Sequence, residues 1–375
     1  MRHFNVLIVG GGPAGSSVAW GLRERGLSVA ILDRKLFPRD KVCAGWITPG
    51  VVDELRIDLE AYGRGRTLQP IHGFRVSLQG RRELRTLYAG RVVSYGIRRC
   101  EFDEYLLRRS GAELLEGMPF RTMEPDGRGW RVNAEIRADV VVGAGGHFCP
   151  VARMFGAEPG TPERVVAAQE IEFEMTTRQQ AECPVDPRVP ELFFAPDLAG
   201  YGWVFRKGGF LNVGLGREDS SRLTEHVQAF VAFLKEKGRI PGDLAGKFHG
   251  HAYLLYPHSP RDVVAEGLLL VGDAAGLAYA ESGEGIRPAV ESGLLAARVI
   301  ASAAGDYGAG RLGPYRGLLE GRFGPRQPAA GWLERVPPRL KRLIAGPLMQ
   351  THWFVQNVLM ERWFLRLDEM PLPVA

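Results

Sequence analysis

The chain has 375 residues, of which 45% are hydrophobic and 24% charged, as in an ordinary globular protein. Its 48 basic and 43 acidic residues nearly balance, and no segment is dense enough in Lys and Arg to follow a phosphate backbone, so we expect no nucleic-acid partner. The four cysteines form no CxxC pair, which argues against a disulfide framework or a bound metal. No apolar run reaches the ~20 residues of a membrane span, so we expect a cytoplasmic protein, soluble or peripheral to a membrane.

The first elements of the chain predict a dinucleotide-binding unit. The apolar run at residues 4–9 leads into a glycine-rich turn at residues 10–15 (GGGPAG), a helix, and a second apolar run that ends in an acidic residue. In such a turn the first glycine makes the tight bend, the second lets the backbone approach a pyrophosphate, and the third lets helix pack on strand. The helix start attracts phosphate oxygens, and the acidic residue accepts from ribose hydroxyls. The residues predicted to hold the dinucleotide here are Gly10, Gly12, Pro13, Ala14, Gly15, Asp33 and Arg34.

A second element indicates that the dinucleotide is FAD rather than NAD. Residues 267–276 (GLLLVGDAAG) predict a strand that ends in Gly272-Asp273, and a glycine turn at residues 282–286 (SGEGI) precedes a helix at about residues 288–300. Asp273 would accept from the ribityl hydroxyls, while the glycines and the helix start would lie against the isoalloxazine. Because the two elements are far apart in the chain, we expect an inserted domain between them.

Three further segments carry a resemblance to a known family. They are residues 41–45 (KVCAG), 99–103 (RCEFD) and 201–209 (YGWVFRKGG). Together with the two FAD elements and the glycine turn, they resemble the geranylgeranyl reductase family, within the p-hydroxybenzoate hydroxylase superfamily of FAD proteins. The resemblance covers roughly residues 1–305.

The chain departs from the family pattern at single positions. Ala44 stands where the family has glycine, Arg206 where it has proline, and Ala280 where it commonly has proline. Gly145 replaces an acid of the superfamily, which leaves the electron donor open, and Gly276 replaces the histidine of the aromatic hydroxylases. The last two departures count against a monooxygenase.

The resemblance implies an α/β fold, in which a Rossmann-like, glutathione-reductase-type FAD domain carries an inserted antiparallel-sheet substrate domain and a helical C-terminal tail. Alternating apolar residues between residues 165 and 256 agree with such a sheet. We assign residues 1–69, 96–160 and 261–305 to the FAD domain, residues 70–95 and 161–260 to the substrate domain, and residues 306–375 to the helical region.

The resemblance also implies which residues form the site. Cys43 is expected near the flavin ring, where its thiol either donates a proton or packs against the isoalloxazine. Tyr201 and Trp203 alternate along a strand and so share a face, either as walls of an apolar cavity or as a core pair, and the Tyr201 hydroxyl is a second candidate proton donor. Arg99 is expected at the FAD phosphates or adenosine, with a surface salt bridge as the alternative. The other cofactor-binding candidates are Lys41, Ala44, Gly272, Asp273, Gly283, Gly285 and Ile286, and no metal ligands are predicted.

We expect an FAD-dependent oxidoreductase that reduces carbon–carbon double bonds of an isoprenoid or other apolar, lipid-like substrate by hydride transfer from reduced flavin. Such a reduction needs a placed proton donor and a dry site. Two alternatives stay open: a flavin monooxygenase acting on an apolar or aromatic small molecule, and a non-catalytic flavin electron-transfer or sensor protein. The sequence has one complete dinucleotide-binding motif, and we expect FAD to bind there. The electrons are therefore expected from transiently docked NAD(P)H or a reduced carrier protein. The oligomeric state is left open.

The tail from residue 315 onward interleaves aromatic residues, among them Trp332, with arginines. Leu348, Val355, Leu359 and Trp363 recur at helical spacing. Two interpretations stay open: a helical subdomain that closes the substrate cavity, and an interfacial helix that rests on a membrane.

Overall fold

The computed structural model describes residues 1–156, 165–219, 221–244, 246–259, 261–326 and 345–373. Within these ranges the chain forms an eight-stranded, a seven-stranded and a three-stranded sheet, and the predicted α/β class is confirmed. The strands are β1 (Arg2–Val9), β2 (Val29–Asp33), β3 (Trp46–Ile47), β4 (Leu68–Ile71), β5 (Gly73–Leu78), β6 (Glu83–Leu87), β7 (Ser94–Ile97), β8 (Glu113–Glu116), β9 (Met123–Asp126), β10 (Gly129–Val132), β11 (Ile136–Gly143), β12 (Val165–Glu174), β13 (Glu191–Phe194), β14 (Gly200–Lys207), β15 (Phe210–Arg217), β16 (His249–Leu254), β17 (Val264–Ala265) and β18 (Leu268–Leu270). The α-helices are α1 (Pro13–Leu22), α2 (Pro49–Glu54), α3 (Leu59–Gly63), α4 (Arg99–Arg108), α5 (Pro150–Met154), α6 (Thr177–Glu182), α7 (Leu223–Glu236), α8 (Ile286–Ser302), α9 (Ala309–Leu312) and α10 (Pro314–Phe323).

The eight-stranded sheet has the order β17-β18-β11-β1-β2-β8, and the hairpin of β9 and β10 extends from β11. Its central strand, β1, runs parallel to both neighbours, with Val6 opposite Val29 of β2 and Val140 of β11. Because β18 is also parallel to β11, the carboxyl ends of β1, β11 and β18 meet at one edge. The first glycine turn and the Gly272-Asp273 element both begin at that edge.

Helices α1 and α8 pack against each other over small residues. A Cβ atom on Gly21 would come within 2.6 Å of Ala297 Cβ, and one on Gly293 would come within 2.5 Å of the Ala14 carbonyl oxygen. Because Gly21 and Gly293 have no side chains, α1 and α8 can approach closely, although long stretches of sequence separate the two helices.

The seven-stranded sheet has the order β16-β12-β15-β14-β13-β5-β6 and is antiparallel except where β13 pairs with β5. One face buries Val204 against α7, whose buried residues are Val227, Phe230 and Leu234. The other face carries Tyr201, Trp203 and Phe205. Of the strands between residues 68 and 97, β5 and β6 join this sheet, whereas β4 and β7 pair with each other in the three-stranded sheet.

The tail lies across the face that carries Tyr201, Trp203 and Phe205. Its segment Phe354–Phe364 is a π-helix. The prediction of an ordinary helical face here is wrong in part: Val355 and Leu359 are buried as expected, but Phe364 is buried in place of Trp363, and Leu348 is 39% exposed. The wider turn of a π-helix, with its i→i+5 hydrogen bonds, shifts the buried row by one residue. Trp332 lies outside the described residues.

The last described residues, 366–373, which we call the terminal strap, return to the eight-stranded-sheet domain. Arg287 of α8 is buried and donates to the Glu369 carbonyl oxygen at 3.1 Å. The Leu372 backbone N–H donates to Oε1 of Glu54 at 3.0 Å. The tail is thus fastened to α2 and α8 beyond the π-helix.

No helix in the part of the chain that the structure describes is long and apolar enough to cross a bilayer. Among the same residues, no group of His, Cys, Asp and Glu side chains is arranged to hold a metal ion. Cys43, Cys100, Cys149 and Cys183 are free thiols.

Candidate active site

The glycine-rich turn after β1 leaves space at one position and none at another. A Cβ atom on Gly15 would lie 2.0 Å from the Gly10 carbonyl oxygen, so the start of α1 packs directly on the turn. A Cβ atom on Gly12 would meet only Nη2 of Arg39, at 3.5 Å. Helix α1 begins at Pro13, and no side chain caps its first N–H groups. Those groups and the open space at Gly12 suit an anionic ligand.

Asp33 at the end of β2 closes the turn from the other side. Its Oδ2 accepts from the Gly11 backbone N–H at 2.8 Å, and its Oδ1 accepts from the Lys35 backbone N–H at 2.8 Å. The neighbouring Arg34 is exposed and is not brought into this cluster. The structure therefore places Asp33 at the turn, where its contact with a ribose stays a prediction.

Arg39, whose Nη2 lies next to the open space at Gly12, shares the Asp103 carboxylate with Arg99. Arg99, the first residue of α4, is buried and forms a bidentate ion pair with Asp103, with N···O distances of 2.8 and 2.9 Å. Arg39 also reaches Asp103, at 3.2 Å. A surface salt bridge, the alternative for Arg99, is excluded because both partners are buried.

Asp273 lies at the same edge, in a short 3-10 turn, Gly272–Ala275, that follows β18. His251 Nε2 lies 3.7 Å from its Oδ2, and Lys41 Nζ lies 2.9 Å from His251 Nε2. Burial lowers the pKa of Lys41 to about 8, although Asp273 opposes this shift. Burial also works against the charge of Asp273, but His251, Lys41 and Arg99 hold the pKa of its carboxyl below the ordinary value.

The second glycine turn adjoins both the first turn and the seven-stranded sheet. A Cβ atom on Gly272 would come within 2.9 Å of Ala14 Cβ, and one on Gly285, just before Ile286 at the start of α8, would lie 3.2 Å from Asp273 Oδ1. Gly283 lies against the Tyr253 hydroxyl of β16, which a Cβ atom there would approach to 2.3 Å.

These features fit FAD. The open position at Gly12, the uncapped helix start and the nearby Arg39, Lys41 and Arg99 suit the pyrophosphate, and Asp273 suits a polyhydroxyl chain. When the group is bound, the residues around Gly12 would hold its phosphates and Asp273 its ribityl hydroxyls.

We call the two glycine turns and the charged residues beside them the cradle, and the seven-stranded sheet the second sheet. The loop that carries Cys43 connects the cradle with the second sheet. The Cys43 backbone N–H donates to Glu170 Oε1 at 2.6 Å, and its carbonyl oxygen accepts from Asn212 Nδ2 at 3.2 Å. Burial opposes the charge of Arg99, but Asp103 and the nearby Cys43 thiol raise the pKa of that guanidinium. Ala44 packs on the apolar face of the second sheet.

Tyr201 and Trp203 lie together on that face, with ring centroids 6.1 Å apart. The Tyr201 hydroxyl donates to the Ser282 carbonyl oxygen at 2.6 Å, and burial raises its pKa far above the ordinary value. Trp203 Nε1 donates to Asn212 Oδ1 at 2.7 Å. Phe364 of the tail packs edge-on against Tyr201, with centroids 5.4 Å apart. Both rings are packed and the tail covers them, as expected for a core pair, and their role as walls of an apolar cavity stays a prediction.

Sequence reasoning missed several side chains of this site. His251 and Tyr253 come from β16 and reach it only through the pairing of distant strands. Glu170 and Asn212 hold the Cys43 loop, and the sequence gives no signal for Glu170 because it is one of three glutamates that alternate along β12. Burial raises the pKa of Glu170 to about 7.

We predict that Gly12→Val abolishes FAD binding and leaves the fold intact. The new side chain has room in the protein, because only Arg39 Nη2 lies near, but it fills the space in which a pyrophosphate would approach the backbone. The measurement is the flavin absorbance per chain after purification, together with the circular dichroism spectrum of the variant.

The matched control is Gly317→Val on the exposed side of α10, where a Cβ atom meets nothing within 4 Å. It should keep the flavin content of the wild type. A Gly12→Val protein that stays fully yellow would contradict the assignment of the phosphate site.

Comparisons with known proteins agree with this geometry. Residues 5–102 match the DAO family, described as FAD dependent oxidoreductase. The chain is 30% identical over 321 residues to geranylgeranyl diphosphate reductase of Rhodobacter capsulatus, covering 78% of this chain and 74% of that protein. It is 29% identical over 346 residues to digeranylgeranylglycerophospholipid reductase of Methanoculleus marisnigri, covering 84% of this chain and 81% of that protein.

A solved structure has the same fold. The geranylgeranyl bacteriochlorophyll reductase-like protein of Thermoplasma acidophilum superposes with a TM-score of 0.74 at 23% sequence identity, over 93% of this chain and 88% of that one. The sequence relatives, the flavin cradle and the inserted sheet lead to one conclusion: the chain belongs to the geranylgeranyl reductase family and is an FAD-dependent oxidoreductase.

Proposed function

We propose that the protein reduces carbon–carbon double bonds of an isoprenoid or similar apolar lipid. The observation that carries the proposal is that the Cys43 loop runs from the cradle to the face of the second sheet that carries Tyr201 and Trp203. Lys41 at its start contacts His251 beside Asp273. Ala44 and Trp46 at its end pack in the apolar cluster of the second sheet. The names of the relatives from Rhodobacter capsulatus and Methanoculleus marisnigri support a prenyl substrate.

When bound and reduced, FAD supplies a hydride. The chain must supply a proton for the second carbon and keep water away. We assign the proton to the Cys43 thiol, because the Tyr201 hydroxyl already donates to the Ser282 carbonyl oxygen. Tyr201, Trp203 and Trp46 would contact the apolar chain, and each methylene that they bury would contribute roughly 0.8 kcal/mol to binding.

The test of the proposed function uses holoenzyme reduced with dithionite, under anaerobic conditions, with geranylgeranyl diphosphate as the probe. Mass spectrometry should find products that gain a pair of hydrogens for each reduced double bond. Products that appear only with oxygen and contain an added oxygen atom would favour the monooxygenase. No product from prenyl diphosphates or prenyl lipids would favour the electron-transfer or sensor interpretation.

Cys43→Ala should retain FAD and lose turnover by about 10²–10⁴-fold, the usual effect of a lost proton donor. Flavin absorbance and the anaerobic reduction of geranylgeranyl diphosphate measure the two properties separately. Cys183→Ala, a free and half-buried thiol outside the site, is the control and should behave as wild type. Native turnover in Cys43→Ala would reduce Cys43 to a packing residue.

We infer that electrons come from NAD(P)H docking transiently or from a reduced carrier protein, because FAD occupies the one complete dinucleotide fingerprint of the sequence. NADPH alone should therefore bleach the flavin absorbance slowly in an anaerobic stopped-flow experiment. Rapid reduction that saturates at micromolar NADH or NADPH would disprove this and require a nicotinamide site.

We also propose that the protein works in the cytoplasm and contacts a membrane through its tail, from which the lipid would be drawn. Trp353, just before the π-helix, is 67% exposed, and Arg362 is exposed on the same segment. An exposed aromatic ring together with a basic residue on the same segment is typical of interfacial segments.

Trp353→Ala should weaken binding to vesicles that contain anionic phospholipid by about tenfold, because one large apolar side chain no longer enters the bilayer. Cosedimentation of the holoenzyme with vesicles measures this. Phe148→Ala is the matched control, since Phe148 is 56% exposed in the FAD domain. Equal binding of wild type and Trp353→Ala would argue against membrane contact through this segment.

A further inference from the structure

The Cys43 loop belongs to the cradle, yet side chains of the second sheet hold its peptide groups. Glu170 of β12 accepts from the Cys43 backbone N–H at 2.6 Å, and Asn212 of β15 donates to the Cys43 carbonyl oxygen at 3.2 Å. We propose that Glu170 and Asn212 are positioning residues that fix the place of the Cys43 thiol by holding its peptide groups from both sides. This inference rests on the proposed role of Cys43 and names the residues on which that role depends.

Glu170 and Asn212 are also bound to each other, and the orientation of the Asn212 amide is determined. Asn212 Nδ2 donates to Glu170 Oε2 at 2.9 Å, while Asn212 Oδ1 accepts from Trp203 Nε1 at 2.7 Å. Because the indole nitrogen can only donate, Oδ1 must face Trp203 and Nδ2 must face Cys43. Trp203 therefore acts on Cys43 through Asn212.

The backbone beneath this pair is shaped to accommodate it. Gly214 pairs with Glu170 across the sheet on one side and with Trp203 on the other. A Cβ atom on Gly214 would come within 2.2 Å of Trp203 Cζ2 and 2.9 Å of Glu170 Cβ. Any side chain there would displace both residues, so a glycine is required for the hydrogen-bonded chain to form.

A buried lysine holds the next peptide of the loop. Lys207 at the end of β14 donates to the carbonyl oxygens of Ala44 at 3.0 Å and Ile97 at 2.9 Å, and it pairs with Glu172. A Cβ atom on Gly45 would meet the Ile97 carbonyl oxygen at 2.1 Å. The loop is thus pressed against β7 and has little freedom to move the thiol.

Glu170 gains or loses its charge near neutral pH. Burial raises its pKa to about 7, against the lowering effects of the Cys43 amide, Asn212 and Lys207. Of the other groups that face it, Glu172 lies on the same strand, and His249 lies opposite on β16. A carboxylate accepts hydrogen bonds more strongly than a carboxylic acid. The hold on Cys43 should therefore tighten as the pH rises through about 7.

The test measures alkylation of Cys43 by iodoacetamide in the holoenzyme, peptide by peptide, with Cys183 in the same sample as reference. Glu170→Ala and Asn212→Ala should raise the Cys43 rate about tenfold, because each removes a hydrogen bond that restrains the loop. Glu170→Gln keeps an oxygen that can accept from the Cys43 N–H but turns its NH2 group toward the Asn212 NH2 group, so it should restore only part of the restraint. Glu174→Ala, exposed on the same strand, is the control and should match wild type.

A pH series gives a second measurement that does not depend on the alanine variants folding. In wild type, the ratio of Cys43 to Cys183 alkylation should fall as the pH rises through about 7, and in Glu170→Gln it should stay level. The same pH dependence of the ratio in wild type and in Glu170→Gln would overturn the proposal, and so would native alkylation in folded Glu170→Ala and Asn212→Ala proteins. These outcomes are independent of turnover, so they remain decisive even if Cys43→Ala proves fully active.

Discussion

The close contact of α1 with α8 is the constraint on which the cradle depends. Gly21 and Gly293 let the helices approach until a single added carbon would collide with Ala297 or with the backbone at Ala14. That approach brings Gly272 against Ala14, so the turn after β1 and the turn after β18 become two sides of one site. A larger residue at either glycine would separate the first glycine turn from the turn that holds Asp273.

The second sheet completes the site from the opposite direction. Its strand β16 brings His251 and Tyr253 to Asp273 and Gly283, and its strands β12 and β15 hold the Cys43 loop. The second sheet therefore takes part in forming the site. It determines where the cradle's own loop lies, and the same Trp203 side chain belongs both to the apolar face and to the hydrogen-bonded chain that reaches Cys43.

The sequence was informative wherever a feature is local. The run from β1 through α1 to Asp33 was predictable because a buried strand, a glycine turn and a helix start each leave a pattern within a few residues. The sharing of one face by Tyr201 and Trp203 followed from strand alternation alone. Glu170 and Asn212 were not found, because their role arises from the pairing of β12 with β15 and from a loop that is remote in sequence. The register of the tail was predicted incorrectly because apolar spacing does not distinguish an α-helix from a π-helix over so short a segment.

The terminal strap has a consequence for how the chain folds. Arg287 and Glu54 bind residues that lie near the far end of the described chain, and α8 itself arrives only after the whole inserted sheet. The parallel strands around β1 thus depend on partners that are distant in sequence. Such a topology folds slowly and leaves apolar surface exposed until those partners are in place. During synthesis, the first glycine turn would leave the ribosome long before Asp273 and the strap exist. Capture of the flavin is therefore expected to be a late event, which seals an assembly that the N-terminal third cannot form by itself.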